Sequence, residues 1–195
     1  MPDALSSDLL DQLRDYVDRE IRGGFTAVGD IPQAAVAFLA DEADPNVLRP
    51  HAEQCTAETL VALTEEQRSW PEQTDCDRLD VAFARLESAG ILARQDFSCC
   101  QNCGHGEMWA LLQEALAQGR SARGYTFYHQ QDTESAVEGY GLCLAWGATE
   151  AGDDALASVG HEVVAVLRAE GLRVGWDGST KRRISLSLDW KRRRE

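Results

Sequence analysis

Apolar residues in the first ninety positions follow a helical period. From Leu9 to Ile21 they recur every fourth residue, which predicts a helix that buries one face. Thr74 and Asp77 form a capping box, with aspartate in place of the usual glutamate or glutamine, and this predicts a later helix start. The predicted helices cover about residues 6–22, 32–41, 51–70 and 74–90. The N-terminal part of the chain is therefore expected to be mainly helical.

From Ile91 onwards the apolar period changes to two, which is typical of strands. The predicted strands cover about residues 91–100, 125–129, 142–146, 172–176 and 184–190. Helical spacing returns over about 108–119 and 153–171. The order matches a ferredoxin-like split βαβ arrangement with an extra C-terminal hairpin strand, in which strand three is antiparallel and lies between parallel strands one and two. These elements predict an α+β protein.

The change of period predicts two regions, an acidic helical region over residues 1–90 and an α/β sandwich domain over residues 91–195 that carries the cysteines. The alternative is that both regions form one compact unit. The formal net charge of −14 is uneven: residues 1–90 hold 19 acids and 7 arginines, and residues 91–195 hold 14 acids and 12 bases. An acidic helical region repels phosphate backbones, so we expect no nucleic-acid binding. Its acids suit a solvated surface, or alternatively a surface that docks on a basic protein partner.

Two basic runs interrupt the acidic composition. Lys181-Arg182-Arg183 is expected in a hairpin turn, and Lys191-Arg192-Arg193-Arg194 is expected as a frayed tail. Neither pattern is typical of a DNA-binding surface. No apolar run approaches the roughly 18 residues that a membrane span needs, and no basic segment precedes an apolar stretch at the N-terminus. The sequence predicts a soluble cytoplasmic protein with no membrane partner, whose cysteines are thiols or metal ligands.

The segment Phe97–Glu107 concentrates the reactive side chains of the chain. Cys99 alternates with Phe97 and is expected to point into the core, where free cysteine is common. Cys100 and Cys103 form a Cys-x-x-Cys pair near the N-terminus of the next helix, where the helix dipole stabilises a thiolate. This pair is compatible with a metal site, with a redox disulfide, or with thiols that only pack at a tight turn.

The predicted topology places a second polar cluster beside this pair. His129 and Asp132 follow strand two, and the ends of parallel strands one and two open on the same edge of a sheet. For zinc, Cys100 and Cys103 would supply one pair of ligands, and His105, His129, Asp132 or Cys99 would supply the others. Asp132 is equally compatible with a role as a helix cap.

Several segments together resemble an uncharacterised bacterial protein family of unknown function. The resembling segments are residues 74–79, 90–104, 127–134 and the closing hairpin over 171–190, in the last two thirds of the chain. The resemblance implies kinship and a shared CCxxCG…HxQDTE signature, but no mechanism. The residues favour a non-catalytic binding protein with a Cys/His metal or thiol site. The alternatives are a thiol redox enzyme that uses Cys100 and Cys103, and an acidic protein-binding regulator whose cysteines are structural.

Overall fold

A computed structural model describes residues 5–194, which form seven α-helices and five β-strands. The described residues divide into two compact units. The helical unit comprises residues 5–72 together with 191–194, and the sheet unit comprises Gln73–Trp190. None of the helices in the described part of the chain combines the length and the apolar character that crossing a membrane requires.

The helical unit contains three α-helices, whose apolar faces pack on one another. They are α1 (Ser7–Gly23), α2 (Ile31–Phe38), preceded by a short 3₁₀ turn, and α3 (Pro45–Gln67). The predicted first helix is confirmed: Ser6 Oγ accepts from the Leu9 N–H at 3.3 Å, and Gly24 ends the helix with a φ of 87°. Helix α3 begins earlier than predicted, because Asp44 caps it by accepting from the Asn46 N–H at 2.8 Å.

The C-terminal basic run belongs to the helical unit, so the expectation of a frayed tail is wrong. The Arg194 guanidinium donates to three backbone oxygens near the end of α1, at distances of 2.6–2.8 Å. The Arg194 N–H also donates to Gln67 Oε1 at 2.7 Å. Arg192 lies over the Phe25 ring, 4.6 Å from its centroid. Carbonyl groups at a helix C-terminus lack intrahelical partners, and Arg194 supplies donors to that region.

The sheet unit contains the remaining helices and all five strands. Its elements are α4 (Asp75–Ser88), β1 (Ile91–Arg94), α5 (Gln101–Ala117), β2 (Gly124–Phe127), α6 (Gln130–Val137), β3 (Leu142–Ala148), α7 (Asp153–Ala169), β4 (Arg173–Gly175) and β5 (Ile184–Ser187). The predicted capping box of α4 is present, with both reciprocal hydrogen bonds. The boundary between the two units falls between Glu72 and Gln73, because α4 packs on β1 within the sheet unit. The sequence pattern predicted this boundary at residue 90.

The α+β class is confirmed, but the strand order differs from the predicted ferredoxin-like one. The observed order is β1-β2-β3-β5-β4. Strands β1 and β2 are parallel neighbours, with Ile91 opposite Gly124, and β3 lies antiparallel on the far side of β2. The last strand, β5, pairs with β3 and leaves β4 at the edge. Strand three therefore does not lie between strands one and two.

Helices cover both faces of the sheet. On one face, α4 and α7 bury the larger core, which includes Ile91, Leu144 and Ile184. On the other face, α5 packs on Leu92, Tyr125, Phe127 and Ala145. Gly104 permits this packing, since a Cβ atom built there would lie 2.2 Å from the Phe127 ring. The glycine after Cys103 thus allows the N-terminal half of α5 to lie close to β2.

Candidate functional site

The loop between β1 and α5 carries the cysteines, and its backbone ends the strand alternation early. Strand β1 stops at Arg94, and Asp96 and Ser98 then adopt left-handed conformations with φ values of 49° and 67°. Residues in this conformation cannot continue a strand. The inward and outward alternation of side chains that was predicted from Ile91 to Cys99 therefore ends before Cys99. Cys99 is exposed, and the expectation that it points into the core is wrong.

Three thiols form a compact group at this loop. The Sγ atoms of Cys99, Cys100 and Cys103, here called the cysteine cluster, all lie within 4.8 Å of one another. Cys100 is the N-cap residue of α5, and Cys103 lies in its first turn. Cys99 and Cys103 are exposed, and Cys100 is partly exposed. The cluster is therefore accessible to a ligand from solvent.

Hydrogen bonds shift the pKa values of Cys100 and Cys103 in opposite directions. The Cys103 backbone N–H and then the Cys103 thiol stabilise the Cys100 thiolate, which lowers the pKa of Cys100. The same thiol contacts, first with Cys100 and then with Cys99, raise the pKa of Cys103 to about 11. The first proton therefore leaves Cys100, and the resulting thiolate accepts a hydrogen bond from its neighbour.

The loop between β2 and α6 holds a buried ionic network. The Asp132 carboxylate contacts His129 Nε2 at 3.0 Å and both terminal nitrogens of Arg183 at 2.9 and 2.5 Å. Asp132 also accepts from the His129 backbone N–H at 3.1 Å, and Arg183 donates to the Cys143 carbonyl at 2.5 Å. Burial lowers the pKa of His129, the nearby Arg183 charge lowers it further, and Asp132 acts in the opposite direction.

The two loops leave neighbouring parallel strands and are hydrogen-bonded to each other. The sequence predicted that they meet at this sheet edge, but with strand three between the two strands. The Phe97 N–H donates to the Tyr128 carbonyl at 2.8 Å, and the Gln130 N–H donates to the Ser98 carbonyl at 3.2 Å. The Thr133 hydroxyl donates to Asp96 Oδ1 at 2.6 Å. The backbone that precedes the cysteines is thus held by residues 128–133, at the start of α6 and just before it.

The predicted ligands fall into separate environments. His105 uses Nδ1 in a 2.9 Å contact with the Tyr125 hydroxyl, and its ring packs edge-on against Tyr125 and Phe127. His129 contacts Asp132 through Nε2, and Asp132 also pairs with Arg183. Within residues 5–194, the cysteine cluster is the group of three or more potential ligands with the spacing of a metal site. The wider set of Cys100, Cys103, His105, His129 and Asp132 stays a prediction.

Two residues of this region were missed or misplaced in the sequence reasoning. Cys99 was expected in the core, although it was also named among the possible further zinc ligands, and it belongs to the cluster. Its position directly before Cys100 in a Cys-Cys-x-x-Cys pattern was the available signal. Arg183 was assigned only to a turn, although it is the ionic partner of Asp132, 51 positions earlier in the chain. No local pattern reports a pairing over that separation.

Comparison with known proteins identifies one family. The sequence model described as "Domain of unknown function (DUF6891)" matches residues 6–194, and it therefore spans both units and the docked C-terminal run. No curated protein and no solved structure shows significant similarity to the chain.

Proposed function

This chain belongs to the DUF6891 family, a domain of unknown function, and we propose that it binds a thiophilic metal ion, zinc in the first instance, through Cys99, Cys100 and Cys103. The observation that carries the proposal is the mutual distance of the three sulfur atoms, which is at most 4.8 Å. Zinc–sulfur bonds of about 2.3 Å in a tetrahedral site place sulfur atoms about 3.8 Å apart. Small side-chain rotations would bring the cluster to that spacing.

Charge and exposure support the same function. Thiolates are soft ligands that favour zinc or copper(I) over magnesium or calcium. Hydrogen bonds lower the pKa of Cys100, so one ligand is readily available as the anion, and a metal would deprotonate the others. The cluster is exposed, and three protein ligands leave one position of a tetrahedral ion open. A non-catalytic role in holding or transferring a metal ion fits such an accessible site.

The experiment is elemental analysis of protein purified without chelators. We expect about one zinc ion per chain, and its loss in the triple variant Cys99→Ser/Cys100→Ser/Cys103→Ser. The matched control is Cys143→Ser, which changes a half-buried thiol outside the cluster and should retain the metal. A folded wild-type protein that contains no metal, and that takes up neither zinc nor copper(I) on addition, would contradict the proposal.

A second candidate function is thiol–disulfide exchange, which the different pKa values of Cys100 and Cys103 favour. The pKa of Cys100 is lowered, whereas that of Cys103 is raised to about 11. The Cys100 thiolate would attack a substrate disulfide and release one thiolate. Cys103, once deprotonated, would then attack the mixed disulfide, release the second thiol and leave a Cys100–Cys103 disulfide. The substrate disulfide gains the two electrons that the cysteine pair loses.

Alkylation rates separate this candidate from an inert thiol. With metal removed, Cys100 should react with iodoacetamide at a lower pH than Cys143, whose pKa is raised by burial. Peptide mass spectrometry identifies which thiol is modified at each pH. If Cys100 reacts only as fast as Cys143 throughout the pH series, the exchange function loses its basis, while the metal proposal is judged separately by elemental analysis.

A further inference from the structure

A cavity in the sheet unit has cationic side chains and one amide on one side and apolar residues on another. It has a volume of about 230 Å³ and is formed by the start of α5, the middle of β3, the first turn of α7 and the connection between β4 and β5. Its lining residues are Gln101, His105, Ala145, Trp146, Leu156, Thr180, Lys181, Arg182 and Arg183. None of the lining residues, all of which lie in the described part of the chain, is acidic. The cavity thus places three cations together in a protein whose formal net charge is −14.

We propose that this cavity binds a small oxyanion, a phosphate or carboxylate group, through Lys181, Arg182 and Gln101. Cations and amide donors are the groups that bind oxyanions in proteins. The volume is below the range of about 300–1,000 Å³ that is typical of sites for drug-sized ligands, so the ligand is expected to be small. The site uses none of the three cysteine thiols, although Gln101 directly follows Cys100 in the first turn of α5.

Local charges favour an anion in this cavity. The Arg183 charge is offset by Asp132, and Arg182 makes an exposed contact of 3.5 Å with Asp177. Lys181 therefore adds a net positive charge to the lining. A neighbouring depression of about 300 Å³ shares Arg182 and Arg183 but contains Asp177, which disfavours anions there.

The connection that carries the cations is ordered before any ligand arrives. The Trp176 indole N–H contacts the Ser179 and Arg182 carbonyls, both at 3.1 Å. Asp177 Oδ1 accepts from the Ser179 N–H at 3.0 Å, and Ser179 Oγ accepts from the Lys181 N–H at 3.2 Å. A loop that is already fixed loses less conformational entropy on binding, which favours affinity for a small ligand.

The test is an NMR titration of ¹⁵N-labelled full-length protein with inorganic phosphate and, separately, with succinate. Ionic strength is held at about 0.15 M by replacing chloride, so that general screening stays constant. Phosphate or succinate should shift the backbone amides of residues 180–183 and of Gln101 in a saturable manner. Saturation with phosphate alone identifies a phosphate site, saturation with succinate alone identifies a carboxylate site, and saturation with both identifies a general oxyanion site.

Charge-matched variants determine whether binding occurs at this cavity. Lys181→Gln/Arg182→Gln removes two exposed cations from it and should weaken binding by about tenfold or more, as expected for lost charge-assisted hydrogen bonds. The control Arg49→Gln/Arg120→Gln removes two exposed cations elsewhere and should bind like the wild type. Equal weakening in both variants, shifts confined to other residues, or no saturation with either anion up to about 10 mM would overturn the proposal. Repeating the titration in the triple cysteine-to-serine variant should give unchanged affinity.

Discussion

The two polar loops at the end of β1 and β2 differ sharply although they leave adjacent parallel strands. The loop after β2 uses its polar groups internally, with Asp132 buried between His129 and Arg183. The loop after β1 exposes Cys99 and Cys103 and groups three thiols without burying them. The first arrangement is typical of a structural network, and the second leaves donor atoms available to a ligand.

This difference shows why residue type alone does not identify a ligand set. Histidine and aspartate are common zinc ligands, and sequence reasoning combined His129 and Asp132 with the cysteines for that reason. In the structure, an arginine from a distant segment pairs with the carboxylate instead. A buried carboxylate that is already paired with a cation and a histidine gains little from a metal, whereas exposed thiols have no such competing partner in the ionic network.

The largest expected difference between the two loops is in how much each contributes to the stability of the sheet unit. Asp132→Ala leaves Arg183 without its carboxylate and removes a hydrogen-bond acceptor for His129, so we expect the free energy of unfolding to fall by about 3 kcal/mol or more. Cys103→Ser changes an exposed side chain and should alter the metal-free protein by less than about 0.5 kcal/mol. Urea unfolding followed by tryptophan fluorescence measures both, since four of the five tryptophans lie in the sheet unit.

A loss of less than about 1 kcal/mol in Asp132→Ala would contradict the structural role of this loop. The stability loss in Cys103→Ser also tests the contrast between the two loops. If Cys103→Ser proved as costly as Asp132→Ala in the absence of metal, the cysteine cluster would be part of the folded core and the contrast between the loops would fail. The Cys143→Ser variant provides the matched thiol control.

A second test uses the pH dependence of stability. Burial lowers the pKa of His129 in the folded state, so the unfolded chain binds more protons than the folded chain once the pH falls below about 6.5. The contribution of His129 is therefore fully present above that pH and is lost on acidification, with a slope of at most about 1.4 kcal/mol per pH unit. Urea unfolding at pH 7.5, 6.5 and 5.5, chosen to bracket the free histidine pKa of about 6.5, measures the effect.

The groups that face His129 are Asp132, which raises its pKa, and Arg183, which lowers it. His129→Gln should show a shallower loss of stability between pH 7.5 and 5.5, values on either side of the free histidine pKa of about 6.5. Identical slopes in wild type and His129→Gln would show that this histidine does not titrate with folding.

The fold was predictable where a regular apolar period reports local structure. The stripe from Leu9 to Ile21 and the α+β class follow directly from such periods and are confirmed. The capping box of α4 follows from the spacing of Thr74 and Asp77 and is confirmed as well. Strand order is not a local property, since the same sequence of elements permits β3 on either side of β2. The observed order pairs β1 with β2 directly, which still brings the two loops together.

The candidate site was predictable only in part, for reasons that lie in the backbone and in long-range pairing. The alternation after Ile91 could be read to Cys99 only if the strand continued, and the left-handed residues Asp96 and Ser98 end it. Likewise, the C-terminal basic run has no apolar period, yet Arg194 fixes it through backbone carbonyls of the helical unit. Arginine side chains with several donors make such contacts without a sequence pattern.

The smallest test concerns one of the hydrogen bonds that connect the two loops. Thr133→Val keeps the shape of a buried side chain but removes the hydroxyl that donates to Asp96 at 2.6 Å, so the free energy of unfolding should fall by about 1 kcal/mol. Because Asp96 holds the turn that precedes the cysteines, the same variant should also bind zinc more weakly than the wild type, as measured by competition with a chelator. Ser135→Ala, which removes an exposed hydroxyl from the same helix, is the control and should leave both quantities unchanged. A variant that loses stability but retains the wild-type zinc affinity would show that the β2 loop supports the fold and does not position the cysteine cluster.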